Sequence, residues 1–101
     1  FKALVLENYM RVDNVGELAK LSHMGRSHFD EVFKKEFGLS PGQWMLQQTA
    51  KHVRYHLSEP GATISDAMIK FNFNSPTHFT RFCKQQFGCT PTELIAKLQE
   101  L

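Results

Sequence analysis

The chain has 101 residues, of which 42% are hydrophobic, a length and composition typical of one small globular domain. No apolar run approaches the roughly 20 residues of a membrane-spanning helix, and the chain does not start with the pattern of a signal peptide. The net charge of +2 and the pI of 8.7 are mildly basic, below the pI of about 9 that would by itself indicate nucleic-acid binding.

The first part of the chain predicts three short helices, over about residues 2–10, 15–22 and 26–37. Their apolar residues recur at three- and four-residue spacing, as on the buried face of a helix. Asn14 and Glu17 predict the start of the second helix, and Gly38 predicts the end of the third. The residues expected in the core are Leu4, Val5, Met10, Val15, Leu18, Ala19, Leu21, Phe29, Val32, Phe33 and Phe37.

A longer helix follows. Ser40 and Pro41 are suited to its cap and first position, because proline lacks the N–H that would be unpaired there. The helix extends to Leu57, about 25 Å at 1.5 Å per residue, and the segment 58–61 ends it.

The second part predicts three more helices, over about residues 64–71, 76–87 and from Pro91 onward. Thr63 and Asp66 repeat the cap pattern of the second helix, and either Asn74 or Ser75 caps the helix after the turn. The expected core residues here are Ile64, Ala67, Met68, Phe71, Phe79, Phe82, Cys83, Phe87, Leu94, Ile95 and Leu98.

The chain also repeats itself. Residues 27–41 reappear as residues 77–91, with six of fifteen positions identical and two more exchanging Ser for Thr. The identical pairs are His28/His78, Phe29/Phe79, Lys34/Lys84, Phe37/Phe87, Gly38/Gly88 and Pro41/Pro91. A chain that carries one unit twice suits a partner that is itself periodic, such as duplex DNA.

These elements predict an all-α fold of about seven helices, with two helix-turn-helix subdomains joined by a long connector helix. The first helix-turn-helix covers about residues 15–38, the connector about 41–57 and the second about 63–88. In a helix-turn-helix that binds DNA, the second helix lies in the major groove and its N-terminal residues contact base edges.

The order and spacing of these motifs resemble the C-terminal DNA-binding domain of AraC/XylS-type transcription regulators, from about Val15 to Leu94. The segments that carry the resemblance are 64–73, 79–84, 88–91, 18–19, 33–34 and 38–41, with Trp44 at the usual aromatic position. Where the family usually has a turn glycine, this chain has Asn72, a residue that tolerates a left-handed backbone.

The resemblance implies that residues 1–101 are one AraC-type DNA-binding domain of a bacterial, cytoplasmic transcription factor. It implies a double-stranded DNA operator as partner and leaves RNA polymerase open as a second one. The family usually places a sensory or dimerisation region before this domain. Because the chain begins with Phe1 rather than Met, we expect that region to be missing from this fragment.

Base contacts are expected from the N-terminal part of each recognition helix. The candidates are Arg26, Ser27, Asp30 and Glu31 in the first copy, and Ser75, Pro76, Thr77, Thr80 and Arg81 in the second. Arg81 is the strongest, because an arginine can bind guanine O6 and N7 with two hydrogen bonds. For Glu31 an alternative is an ion pair with Lys34 or Lys35 along its own helix.

Phosphate contacts are expected from residues farther along each copy. Lys34 and Lys84 lie late in the recognition helices, and Ser40 and Thr90 cap helices whose amide ends can hold a phosphate. The repeated histidines, His28 and His78, fit either the DNA interface or the edge of the core.

The function expected from these residues is sequence-specific DNA binding and transcription regulation. A rigid connector suits two recognition helices that read successive major-groove segments of one asymmetric site, about 34 Å apart. The two copies carry different residues on the groove side, so we expect the two half-sites to differ.

Two other classes of function are alternatives to DNA binding. Paired helix-turn-helix lobes can serve as a protein-docking module. An enzyme would use Cys83 or Cys89 as nucleophile with a nearby histidine as base, but Cys83 lies on the predicted core face. Two cysteines form no disulfide framework, and His52 and His56 have no evident third metal ligand. We therefore expect no enzyme, no cofactor and no bound metal.

Overall fold

A computed structural model describes residues 1–100 of the chain. Within these residues it has seven α-helices and one 3-10 turn, and no β-strand. The helices are α1 Lys2–Asn8, α2 Val15–Leu21, α3 Arg26–Phe37, α4 Pro41–Leu57, α5 Ile64–Lys70, α6 Pro76–Phe87 and α7 Pro91–Leu98. The predicted all-α class with about seven helices is confirmed.

Polar side chains cap the helices at the places where the sequence predicted them. The N–H of Glu17 donates to Asn14 Oδ1 at 2.9 Å, at the start of α2. The N–H of Asp66 donates to Thr63 Oγ1 at 3.1 Å, at the start of α5. Each bond satisfies one of the amide donors that a helix leaves unpaired at its first turn, so these side chains determine where α2 and α5 begin.

Glycines end α3 and α6, the second helix of each helix-turn-helix. Gly38 after α3 and Gly88 after α6 have φ of 78° and 73°, in the left-handed region that glycine enters without steric cost. The N–H of Gly38 donates to Lys34 O at 2.8 Å, and that of Gly88 donates to Lys84 O at 3.0 Å. The two copies of the repeat therefore end α3 and α6 with the same backbone motif.

The chain divides into two compact units, of which the first is Phe1–Leu46. Its core is a cluster of buried side chains from α1, α2, α3 and the start of α4: Val5, Leu18, Ala19, Phe29, Phe33 and Trp44. The ring of Trp44 lies 5.0 Å from that of Tyr9 and 5.5 Å from that of Phe33. Aromatic packing of this kind holds the inner face of α3 and leaves its opposite face outward.

Two core predictions in the first unit are wrong. Met10 is 70% exposed and Leu21 is 43% exposed. Met10 follows the end of α1 at Asn8 and lies in the 3-10 turn, which has fewer residues per turn than an α-helix, so the α-helical spacing no longer applies there. Leu21 is the last residue of α2, at the edge of the buried stripe formed by Leu18 and Ala19.

The second unit is Gln47–Leu101, described to residue 100. Its core combines buried residues from α4 to α7: Ala50, Val53, Leu57, Ala67, Phe79, Phe82, Cys83, Cys89 and Leu94. Gln99 Nε2 donates to the carbonyl oxygens of Leu57 and Glu59, both at 3.0 Å, and so links the end of α7 to the end of α4. The core holds the inner face of α6 in place.

Candidate nucleic-acid interface

The start of α6 is defined by a serine cap. The N–H of His78 donates to Ser75 Oγ at 3.1 Å, and Pro76 follows as the first helical residue. Of the two cap residues that the sequence allowed, Ser75 is the one used. Its hydroxyl oxygen is engaged at the cap, and its hydroxyl hydrogen remains able to donate elsewhere.

A shallow surface depression of about 570 Å³ lies along the outer face of α6. The residues that line it are Pro76, Thr77, Thr80, Arg81, Lys84 and Gln85. Five of these six were predicted from the sequence to contact DNA, four at base edges and Lys84 at a phosphate. Gln85 was missed, although it lies four residues after Arg81 and one turn along the same face, so helical spacing alone identifies it. We call these six residues the α6 outer face.

The opposite face of α6 is apolar and buried. Phe79 and Cys83 have no exposed surface, and Phe82 is 6% exposed. The ring of Phe79 lies 4.7 Å from that of Phe73 in the preceding turn. Because this face is packed, the polar and basic residues of α6 have no freedom to turn inward, and the helix presents them to solvent.

The charge of the α6 outer face is positive. Residues 74–88 contain Arg81 and Lys84 and no acidic residue. The corresponding region of the first copy, residues 24–38, contains three basic and three acidic residues. A phosphate backbone is therefore attracted more strongly to α6 than to α3.

The candidate residues of α3 also face outward. Arg26, Ser27 and Glu31 are exposed, and Asp30 is half-buried. Arg26 Nε donates to Asp30 Oδ1 at 3.0 Å, and the two side chains are 57% and 44% exposed. The ion pair on this helix thus joins Arg26 to Asp30, rather than Glu31 to one of the lysines. We call Arg26, Ser27, Asp30 and Glu31 the α3 outer face.

The candidate phosphate-binding residues differ in whether their side chains already cap a helix. Lys34 and Lys84 are exposed. Ser40 Oγ accepts the N–H of Gln43 at 3.3 Å, as a cap of α4. Thr90 caps α7 in the same way.

Thr90 and Glu93 form a reciprocal capping box at the start of α7. Thr90 Oγ1 accepts the N–H of Glu93 at 3.2 Å, and Glu93 Oε1 accepts the N–H of Thr90 at 3.1 Å. The hydrogen bond from the Thr90 backbone is the main cause that holds the pKa of Glu93 below its ordinary value, followed by the bond with the Thr90 side chain. Two amide donors at this helix end are therefore already paired.

The repeated histidines lie at the surface, and histidine rings also contact phenylalanines. His28 and His78 are both exposed, and the ring of His78 lies 5.1 Å from that of Phe73 in an edge-on contact. His56 packs edge-on against Phe71 at 5.9 Å. Among residues 1–100 no three His, Cys, Asp or Glu side chains come close enough together to hold a metal ion.

The cysteines belong to the second core. Cys83 and Cys89 are free thiols and both are buried. Burial raises the pKa of Cys83 from 9.0 to about 11, and the neighbouring Cys89 adds to the shift. The Cys83 thiol therefore stays protonated at neutral pH, the opposite of what a catalytic nucleophile needs. Of the helices within residues 1–100, none combines the length and the apolar character that crossing a membrane requires.

Comparison with known families identifies the fold. A family model described as a helix-turn-helix domain matches residues 18–97. The chain belongs to the AraC-type helix-turn-helix family. The resemblance that the sequence motifs indicated is thereby confirmed, and with it membership of a family of DNA-binding transcription regulators.

Curated members of the AraC-type family are similar over most of this chain. The virulence regulon transcriptional activator VirF of Yersinia enterocolitica is 29% identical over 87 residues, which are 86% of this chain and 32% of VirF. ExsA of Pseudomonas aeruginosa, a helix-turn-helix transcriptional regulator, is 26% identical over 85% of this chain and 31% of its own length. The Msm operon regulatory protein of Streptococcus mutans is 26% identical over 97% of this chain and 35% of its own.

The chain thus spans about a third of the length of the curated AraC-type relatives it matches. No solved structure matches it.

Proposed function

We propose that this AraC-type domain, residues 1–101, binds a double-stranded DNA operator sequence-specifically, with α3 and α6 reading successive major-groove segments of one asymmetric site. The observation that carries the proposal is the α6 outer face. It presents Thr77, Thr80 and Arg81 from the first half of the helix, together with Lys84, and it has no acidic residue. That is the composition and placement of a recognition helix in the major groove.

Each residue of α6 has a role that follows from its chemistry. Arg81 binds guanine through O6 and N7, a contact that discriminates against other bases by roughly 1–3 kcal/mol. Thr77 and Thr80 each offer a hydroxyl for a base edge and a methyl group for thymine. Ser75 and Pro76, at the first turn, complete the set of groove-facing residues, and Gln85 extends it by one turn.

The asymmetry of the site follows from the differences between the two copies. In register with the repeat, Asp30 corresponds to Thr80 and Glu31 corresponds to Arg81. A carboxylate accepts a hydrogen bond from cytosine N4 and is repelled by phosphates, whereas a guanidinium does the reverse. The two half-sites therefore differ in sequence, and the half-site bound by α6 is read more firmly.

Phosphate contacts hold the two recognition helices in register without reading sequence. Lys34 and Lys84 contribute charge from late in α3 and α6. Ser40 and Thr90 contribute from the caps of α4 and α7, where N–H groups and the helix dipole favour an anion. At the start of α7 the N–H groups of Thr90 and Glu93 are paired in the capping box and Pro91 has none, so the contact there uses the N–H of Thr92.

The connector α4 supports a two-groove reading. Its 17 residues span about 25 Å as a continuous helix. Recognition helices that read successive major-groove segments enter the groove one duplex turn, about 34 Å, apart. One chain that carries two such helices could contact both segments.

RNA polymerase is a second proposed partner. VirF of Yersinia enterocolitica is named a transcriptional activator. If this domain activates in the same way, it acts on polymerase while bound to its operator. Transcription in vitro from a promoter that carries the selected site, with and without the protein, tests the direction of control.

The proposal is tested by selecting bound sequences from a random duplex DNA pool. We expect a single enriched motif without twofold symmetry, bound at least about 10³-fold more tightly than scrambled DNA at the same salt concentration. Selection that enriches no motif, while the protein still retains DNA nonspecifically at low salt, would rule out sequence reading.

A further inference from the structure

The ion pair on the α3 outer face gives that helix a specific way to read DNA. Arg26 and Asp30 lie four residues apart on α3, and Arg26 Nε donates to Asp30 Oδ1 at 3.0 Å. The sequence predicts an independent base contact for each of these two residues. We propose instead that, of the two, Arg26 alone reads a base, a guanine, and that Asp30 is a positioning residue that holds the Arg26 guanidinium for this contact. This inference rests on the proposed function.

The chemistry of the guanidinium supports a division of labour. Arginine has five N–H donors, one on Nε and two on each terminal nitrogen. Asp30 occupies the Nε donor and leaves the four terminal ones unpaired. Two parallel N–H groups from the two terminal nitrogens match guanine O6 and N7 end-on. The ion pair therefore favours the end-on contact with guanine, because it leaves unpaired the terminal N–H donors that this contact uses.

The environment of the pair fits the same role. The side chains of Arg26 and Asp30 are 57% and 44% exposed, so the guanidinium is accessible to DNA. Arg26 is the first residue of α3. In a recognition helix, the N-terminal residues are the ones that contact base edges. A long, flexible side chain loses conformational freedom when it binds, and a partner that already holds it reduces that loss.

The Arg26–Asp30 ion pair has no counterpart in the second copy of the repeat. In register, Arg26 corresponds to Pro76 and Asp30 corresponds to Thr80, so α6 has neither member of the pair. The arginine of α6 is Arg81, five residues later in the repeat, and no acidic residue lies within residues 74–88 to hold it. The two helices therefore place their arginines at different depths along the groove.

The pair also makes a distinguishable prediction about Asp30. If Asp30 read a cytosine directly, its effect would not depend on Arg26. If Asp30 acts by positioning, its effect on base preference exists only when Arg26 is present. A double-mutant cycle separates these cases, because it isolates the coupling between two residues.

The experiment measures binding of four proteins to a panel of duplexes that carry every single-base change in the selected site. The proteins are the wild-type chain, Arg26→Ala, Asp30→Asn and the double variant. We expect Arg26→Ala to abolish a guanine preference of about tenfold or more at one position. Asp30→Asn should reduce that preference severalfold at the same position, and should change no preference in the Arg26→Ala background.

The readout is the ratio between bases rather than the affinity, because removing a carboxylate strengthens binding to every sequence by reducing repulsion from phosphates. Glu36→Gln is the matched control, since Glu36 is an exposed carboxylate on the same helix. It should raise affinity for all duplexes and leave the guanine preference unchanged. Asp30→Glu, which keeps the carboxylate, should restore most of the preference.

Two outcomes overturn the inference while leaving the proposed function intact. Either Asp30→Asn alters a cytosine preference that persists in the Arg26→Ala background, or Arg26→Ala leaves every base preference of the α3 half-site in place. In both cases Arg81→Ala still relaxes the other half-site. If Arg81→Ala also changes no base preference, the proposed function itself fails.

Discussion

His23 and Asn72 adopt the same left-handed backbone conformation, each with φ of 59°. They are the non-glycine residues within residues 1–100 that do so, and each lies in the turn between the two helices of one helix-turn-helix. Asparagine and histidine are among the side chains that enter this region most readily, though at some cost. The chain therefore makes both turns without the glycine that the family usually has in the second.

This conformation makes the turns sensitive to β-branched substitution. Asn72→Val should lower the free energy of unfolding by about 1–3 kcal/mol, because valine is strained at positive φ, whereas Asn72→Gly should change it by less than about 1 kcal/mol. Urea unfolding followed by circular dichroism measures both. Asn74→Val is the control, an exposed position of the same turn, and a loss as large there as at Asn72 would contradict the argument.

Arg81 and Lys84 should fail in different ways when truncated. Arg81→Ala should reduce the discrimination between the right and the wrong base by about 1–3 kcal/mol at one or two positions of the site, because a bidentate base contact is lost. Lys84→Ala should weaken all sequences alike and reduce the slope of log affinity against log salt by about 1, because one phosphate contact is lost. Salt titrations on selected and scrambled duplexes distinguish the two.

The control for this pair is Lys97→Ala, which removes an exposed lysine from α7 that has no proposed DNA contact. It should leave both the base preference and the salt slope nearly unchanged. Identical behaviour of Arg81→Ala and Lys84→Ala would show that the roles of base contact and phosphate contact are wrongly assigned.

The capping box of α7 predicts a stability effect with a defined dependence on pH. Glu93→Gln should lower the free energy of unfolding at pH 7, because the charged carboxylate that accepts the N–H of Thr90 at the start of α7 is lost. Since the pKa of Glu93 is lowered from 4.5 in the folded state, its contribution is complete above about 4.5 and is lost as the pH falls through the folded value. Thermal unfolding from pH 7 to pH 3 measures it, and the two proteins should converge at the acidic end. A constant difference across that range would contradict the assignment.

Cys83 should be inert in the native state and should make the protein sensitive to alkali. The raised pKa, about 11 against 9.0, means that the folded state binds the thiol proton more tightly than the unfolded state does. Its stabilising contribution is therefore complete below pH 9 and is lost as the pH rises towards 11. The melting temperatures of the wild type and of Cys83→Ala, measured between pH 8 and 11, isolate the contribution of the Cys83 thiol. Rapid labelling of Cys83 by a thiol reagent at pH 7 would contradict it.

Much of the fold was predictable because local signals coincide with element ends. The starts and ends of α3, α4 and α6 agree with the sequence prediction, because each is marked by a cap, a proline or a glycine. Where such a mark is missing, the prediction was less accurate. The first helix was predicted to continue to residue 10, but α1 ends at Asn8 and a 3-10 turn follows, which the apolar spacing did not reveal.

The candidate site was only partly predictable, for a physical reason. The outer faces of α3 and α6 follow from helical periodicity, since the inner faces are apolar. Which charged side chains pair on such a face depends on rotamers, which the sequence does not specify: Arg26–Asp30 and Glu31 with a lysine were both possible by spacing. Only the structure shows that Arg26 pairs with Asp30.

The central claim is that one chain reads two successive groove segments with two unlike helices. Hydroxyl-radical footprinting of the selected site with the wild-type protein tests it most directly, with Arg26→Ala and Arg81→Ala as companions. We predict two protected patches about ten base pairs apart, with protection weakened in a different patch for each variant. A single short protected patch, or loss confined to the same patch for both variants, would contradict the account.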